Sequence, residues 1–524
     1  MSDERATAAD RLTRRWLLDA TLVLGGAAIT VLFARGFVHR PKLALIALAA
    51  LLVVAVVTLN LRHLRRVRLG HVVVAFLLLL PLMALLGPSV ALPALPQLFA
   101  FRVIGIVALY LGLTWLVVAR VRFDSAAARP ALLVLLWVGW LTVALLWAPD
   151  KATGLRYLGV MFTMVTLMAA TALGGTSRQR MKWLLALLAV AYLLIVVMSM
   201  VESFTGYRLP TSRLLTTTSS ATNYAVTSVF HNQNDLGTYL SLCWPFFICV
   251  FFFTRRFILR ALALVAIAVG VAAFVHTGSR SSLVAVGIES LACLAFFRRG
   301  FSRRTRAIGA IVAVALILGA AWLAFNNSSS DMLSQFRLQG LVNNVQANTG
   351  SGEIRVKLTQ TGLDSLGRFY LLGAGPGQAE VLVAESVAQA SIVNLHDWWL
   401  EVIVDGGLPA FVLHALLYFG LLASMWRIAR RGADPLLRYL AAAIMLALTG
   451  YVIGALGPST ALSFAPMWIL WGLAIAVMIR QRAVARVTAK GEVEGGDEVT
   501  GLRGAASPLR PITSSPPDPA DDTG

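Results

Sequence analysis

WLLALLAVAYLLIVVMSMV occupies positions 183–201. Read as a helix, this uncharged run is about 28 Å long, close to the ~30 Å hydrocarbon thickness of a bilayer. The whole chain repeats the pattern. It is 58% hydrophobic and 13% charged over 524 residues, against roughly 25% charge in an average soluble chain. A soluble domain with a single anchor is therefore excluded. The sequence predicts an all-α polytopic membrane protein with about fourteen spans, near 16–35, 43–60, 71–87, 101–119, 131–147, 157–173, 183–201, 235–253, 258–276, 282–297, 307–325, 397–425, 438–456 and 464–479. The first of these lacks a small-residue cleavage site and is followed by many more, so it is expected as a retained span.

The net charge of +20 invites a nucleic-acid reading, but its distribution argues against one. The arginines stand in short clusters between apolar runs, which is topology information. With the N-terminus cytoplasmic, LRHLRRVR (61–68), RRFILR (255–260), RRGFSRRTR (298–306) and RIARRGADPLLR (427–438) all fall inside. That asymmetry predicts a multi-pass protein of the cytoplasmic membrane with both termini cytoplasmic. The expected divisions are a cytoplasmic segment 1–15, a membrane domain 16–482, and a tail 483–524 whose Gly, Pro, Ser and Asp content reads as disordered. Cys243, Cys249 and Cys293 all lie within apolar runs, with neither disulfide nor metal-ligand spacing.

This orientation puts four segments outside: 202–234, TGSRS (277–281), a long loop 326–395, and NLHDWWLEVIVDGG (394–407). The long loop far exceeds ordinary connections. It contains EIRVKLTQTGLDSL (353–366), expected as a helix with Val356, Leu358, Leu363 and Leu366 on its apolar side. LLGAGPGQ (371–378) follows; a plain turn is a better reading than a phosphate loop.

Polar groups kept at a membrane are functional candidates because they are costly there. On the outer side they are Arg208, Arg213, His231, Asn232, Asn234, Asp235, Arg280, Arg355, His396, Asp397 and Glu401. Arg280 sits in a minimal turn between two spans, where a guanidinium suits a phosphate bidentately; alone, it reads equally as a snorkelling arginine. His396 has an imidazole able to accept a proton near neutral pH, and alone it reads as an interfacial residue beside Trp398 and Trp399. Asn232 and Asn234 open a helix, where such residues often only cap it.

In order along the chain come FHNQNDL, TGSRSSL, GEIRVKL, GAGPGQ and HDWWLEVIVDGGLPAF, all within 230–415. That succession resembles the O-antigen ligase and polysaccharide polymerase superfamily of bacterial membrane glycosyltransferases. The resemblance implies transfer of a glycan from undecaprenyl pyrophosphate to a glycan or lipid hydroxyl acceptor, with no cofactor and no metal. It implies that Arg280 and Arg355 bind the pyrophosphate and that His396 is the base. Asn232, Asn234, Asp397, Arg213 and Arg208 complete the expected substrate-binding set. The sequence departs from the family in three respects. Asp397 stands where the family commonly has Asn after the His. Fourteen spans exceed the usual twelve of ligases. An Arg-x15-Gly pattern of some polymerases fails, with Val229 and Leu371 at the glycine positions.

Two other classes compete with this reading. A metal-using transferase needs an acidic pair in its first outer loop, and RGFVHRPK (35–42) has none. A non-enzymatic transporter or flippase for lipid-linked saccharides would show charge within the spans and broken helices; Glu289 is the residue to check. The shared motifs do not separate ligase from polymerase.

Overall fold

A computed structural model describes residues 69–504, apart from 90, 93–94, 100, 102, 106, 110–124, 216–224, 298–350, 387–394, 396 and 459–461. Its described helices are α1 (Leu69–Leu86), α2 (Ser125–Ala144), α3 (Lys151–Gly174), α4 (Arg178–Thr205), α5 (Gln233–Phe253), α6 (Phe257–Thr277), α7 (Arg280–Phe297), α8 (Ser351–Arg368), α9 (Gln378–Ser386), α10 (Trp398–Arg431), α11 (Pro435–Gly454) and α12 (Ala465–Gly504). A small antiparallel ribbon, Ala91–Leu92 with Leu95–Phe99, follows α1.

Among the described residues, eight helices are long and apolar enough to cross a membrane, and two shorter apolar stretches lie at Val72–Leu86 and Ser281–Phe297. These ten correspond to ten of the fourteen expected spans. The expected spans 16–35, 43–60 and 307–325 lie outside the described residues, as does most of 101–119. The last helix continues to Gly504, so 483–504 is helical where composition suggested a disordered tail. QRAVARVTAKGEVE (481–494) is rich in good helix formers, and this local preference outweighs its low apolar content.

The bundle is built around α11. Leu440 through Leu448 are all buried, and the run Ala441–Ala443 lets neighbours approach closely, as small residues do between membrane helices. It is packed by α5, α7 and α10. Elsewhere glycines set the closest approaches. A Cβ on Gly472 of α12 would meet the Met168 carbonyl of α3 at 2.5 Å. Aromatic rings join α2, α10 and α12, where Trp137 stacks on Trp468 and meets His414 edge-on. Large apolar side chains on α4 and α6, such as Leu193, Leu262 and Val265, point outward, as lipid-facing residues must.

Two local features position α8 and the start of α10. α8 is the helix expected over 353–366, but its buried stripe is Leu358, Gly362 and Ser365, while Leu363 is 54% exposed. The small residues let it lie on α10, where a Cβ on Gly362 would come 3.0 Å from Leu400. α10 is not continuous. Gly407, at φ 67° and ψ −167°, breaks it near one end, in a region of backbone space open essentially only to glycine.

Candidate functional site

The break in α10 receives the glycine turn. Gly373, Gly375 and Gly377 have positive φ, and the turn runs against residues 404–408 as if it were a short strand. The amides of Ala374 and Gly375 donate to the carbonyls of Val404 and Asp405 at 2.8 Å each, and that of Leu408 donates to Leu371 at 2.8 Å. The Asp405 carboxyl, 2% exposed, accepts from the amides of Gly377 at 2.9 Å and Ala379 at 2.7 Å. It thus caps the start of α9. The contact leaves no room for side chains: a Cβ on Gly373 would sit 2.3 Å from the Gly407 nitrogen. The amides of Ala374, Gly375 and Gly377 are spent on α10 and that of Gln378 on Gly375, which makes this a structural turn and not a phosphate cradle.

A third segment closes the lock. The indoles of Trp140 and Trp147, from the end of α2 and the connection after it, donate to the carbonyls of Gly406 at 2.6 Å and Gly373 at 2.8 Å. The buried Gln378 side chain pairs with the Asp150 backbone, accepting from its N–H and donating to its carbonyl, both at 2.9 Å. Asp150 in turn caps α3, accepting from the amides of Ala152 and Thr153. The Thr153 hydroxyl, with these amides, holds the Asp150 carboxyl below the usual carboxylate range. From α3, the Tyr157 hydroxyl donates to Glu401 at 2.9 Å and lies against Asp405.

The motif-bearing helix starts meet at the same end of the bundle, around the C-terminal end of α11. The Trp398 amide that opens α10 donates to the Ala455 carbonyl at 3.1 Å, and the Trp399 indole donates to that of Val452 at 3.1 Å. A Cβ on Gly457 would lie 2.8 Å from both the Ser281 hydroxyl of α7 and the Thr238 hydroxyl of α5. The starts of α5 and α7 also touch directly. Gly237 packs on Ser279, and the Thr238 and Ser282 hydroxyls are 3.3 Å apart. Arg280 is the first residue of α7, and Arg355 lies in the first turns of α8. His396 falls outside the described residues, next to Asp397, which caps α10 by accepting from the Leu400 amide at 3.2 Å. Burial raises the Asp397 pKa, opposed by the amides of Leu400 and Trp399.

The other expected binding residues have evident partners within the protein. Asn232 is 1% exposed and caps α5 through the Asn234 amide at 2.9 Å. Arg213 donates twice to the Gln233 side chain, at 3.3 and 3.0 Å. Arg208 pairs with Glu202 at 3.5 Å and donates to the carbonyls of Leu214 and Ala225. Glu202 itself accepts from the amides of Thr227 and Ser228. The His231 ring is 2.9 Å from the Thr211 carbonyl. The polar patch FHNQNDL thereby fastens residues 211–213 to the start of α5. Sequence reasoning missed Asp405, Gly407, Gln378 and the two indoles; the Gly-Gly of DGGLP inside an apolar helix was the available signal.

Residues 263–415, from the middle of α6 to the middle of α10, match the family described as O-Antigen ligase. The stretch holds the starts of α7 and α8, the glycine turn and the break in α10. This motif-bearing segment is thus similar to the O-antigen ligase family. The chain is also 22% identical over 347 residues to the teichuronic acid biosynthesis protein TuaE of Bacillus subtilis (strain 168), covering 65% of this chain and 70% of that protein. The ligase-type domain sits in a multi-pass membrane bundle, and its family supports glycosyl transfer of ligase or polymerase type at the membrane.

Proposed function

We propose that the protein transfers a glycan from undecaprenyl pyrophosphate to a hydroxyl of a glycan or lipid acceptor, at the outer face of the cytoplasmic membrane and without a metal ion. The observation that carries this reading is the meeting of the α5, α7 and α10 starts at one end of α11, with α8 packed on the first turns of α10. The first turn of a helix leaves N–H groups without intrahelical partners and favours anions, and Arg280 stands in such a turn.

In the proposed mechanism His396 takes the proton of the acceptor hydroxyl. The acceptor oxygen bonds to the anomeric carbon while the bond from that carbon to the pyrophosphate breaks. Charge grows on the leaving diphosphate, where Arg280 and Arg355 stabilise it. Losing one such donor costs roughly 2.7–4 kcal/mol in comparable sites, and losing the base costs about 10²–10⁴ in rate. Asn232, Asn234, Asp397, Arg208 and Arg213 shape the rim through the bonds given above.

A transporter or flippase is the competing reading, favoured by the broken α10 and by Glu289, which is 1% exposed with neither oxygen hydrogen-bonded among the described residues. The break, however, is filled by the glycine turn. The test is reconstitution with a lipid-linked saccharide and an acceptor. Wild type should release undecaprenyl pyrophosphate, while Arg280→Ala, Arg355→Ala and His396→Ala should insert normally and release none. Glycan crossing the bilayer with its bond to the carrier intact would sink the proposal.

A further inference from the structure

At the end of the bundle away from the glycine turn, α2, α10 and α12 enclose a cavity of about 510 Å³. We propose that it binds an anionic glycerophospholipid, with the phosphate among Arg129, Arg427 and Arg482 and acyl chain along Leu133, Leu417 and Leu421. Each helix contributes one guanidinium to this lining. Twenty residues of α10 separate Gly407 from Arg427, or about 30 Å of helix, which is one hydrocarbon thickness. The arginines therefore lie at the opposite headgroup level from the glycine turn, where a lipid phosphate sits, and the apolar wall continues below them.

Charge complementarity selects the occupant. Basic pockets between membrane helices suit anionic headgroups. Nearby arginines are engaged otherwise: Arg430 lies 4.4 Å over the Phe296 ring, and Arg178 faces Asp434 at 3.9 Å. Among the described residues neither Arg129 nor Arg427 forms an ion pair. Topology alone would spread basic residues around the bundle; here three from distant parts of the sequence border one apolar cleft. Gly420 lines the same cleft, and a Cβ there would meet nothing within 4 Å. The wall is open at that point.

The test uses the whole purified protein in detergent, titrated with phosphatidylglycerol or phosphatidylcholine and read by native mass spectrometry and thermal unfolding. Wild type should retain phosphatidylglycerol at least tenfold more tightly than phosphatidylcholine, and millimolar inorganic phosphate should not displace it. The triple variant Arg129→Gln, Arg427→Gln, Arg482→Gln should lose the preference at least tenfold. Gly420→Phe, which leaves the arginines in place, should weaken retention of phosphatidylglycerol by filling the cleft. Displacement by phosphate alone, an unchanged preference in the triple variant, or undiminished binding in Gly420→Phe in a protein that unfolds at the wild-type temperature would overturn the proposal.

Discussion

Asp405 ties the glycine turn and α9 to α10 through one side chain. Its two oxygens satisfy two amides of the turn and helix that follow it in space. Asparagine has one acceptor oxygen and would present an NH₂ to a buried N–H. Asp405→Asn should therefore cost about 2–4 kcal/mol, measured as earlier thermal unfolding in detergent, with glycan transfer falling in step. Gly407→Ala should be worse. Its backbone conformation excludes an L side chain, and a Cβ would lie 2.3 Å from the Leu371 oxygen and the Leu372 carbonyl carbon. Loss of folded protein in the membrane fraction is the expected readout; wild-type levels would show that α10 can repair its break. Neither role was visible beforehand. The letters DGG mark a flexible or special backbone, but the partners of such a backbone are far away in sequence.

At the scale of elements, the helices were legible because run length and polarity alone decide them. The expected 183–201 is the apolar middle of Arg178–Thr205, and the amphipathic 353–366 is Ser351–Arg368. What periodicity missed was which side of α8 is buried, because Gly362 and Ser365 pack by being small. The Asn and Asp residues before helices were legible only as caps, and Asn232 and Asp397 do cap. Asp397 allows a sharper test. Burial lifts its pKa above 3.8, so ionising it disfavours the fold. Its contribution is most favourable below the unfolded pKa and is lost as pH rises through the raised value. Asp397→Asn keeps a capping oxygen and removes the titration. Unfolding temperature should then vary less with pH over the acid range, with no loss at neutrality. Asp397→Ala should instead lose about 1 kcal/mol of cap. If the two variants behaved alike, the cap would not be what Asp397 supplies.

For the whole molecule, the class was written in composition, whereas the membrane orientation is an inference from the arginine clusters. It can be measured. In a background with Cys243, Cys249 and Cys293 replaced by Ser, Tyr370→Cys sits at a position 85% exposed and Val487→Cys at one 73% exposed, at opposite ends of the bundle. A membrane-impermeant maleimide on intact cells should label position 370 and spare 487 until the membrane is opened. The reverse pattern would turn the proposed reaction toward the cytosol and end it. What stayed illegible at this scale was long-range pairing: no local pattern foretells that Gln378 closes on Asp150.

That pairing also bears on how such proteins can be recombined. Trp140, Trp147, Asp150 and Tyr157 hold the turn and α10 but precede the matched family segment 263–415. Excised or grafted into a relative, the segment would arrive without the hairpin that clamps it. A chimaera that exchanges donor specificity should therefore transplant 137–157 together with it, as two pieces of one cassette.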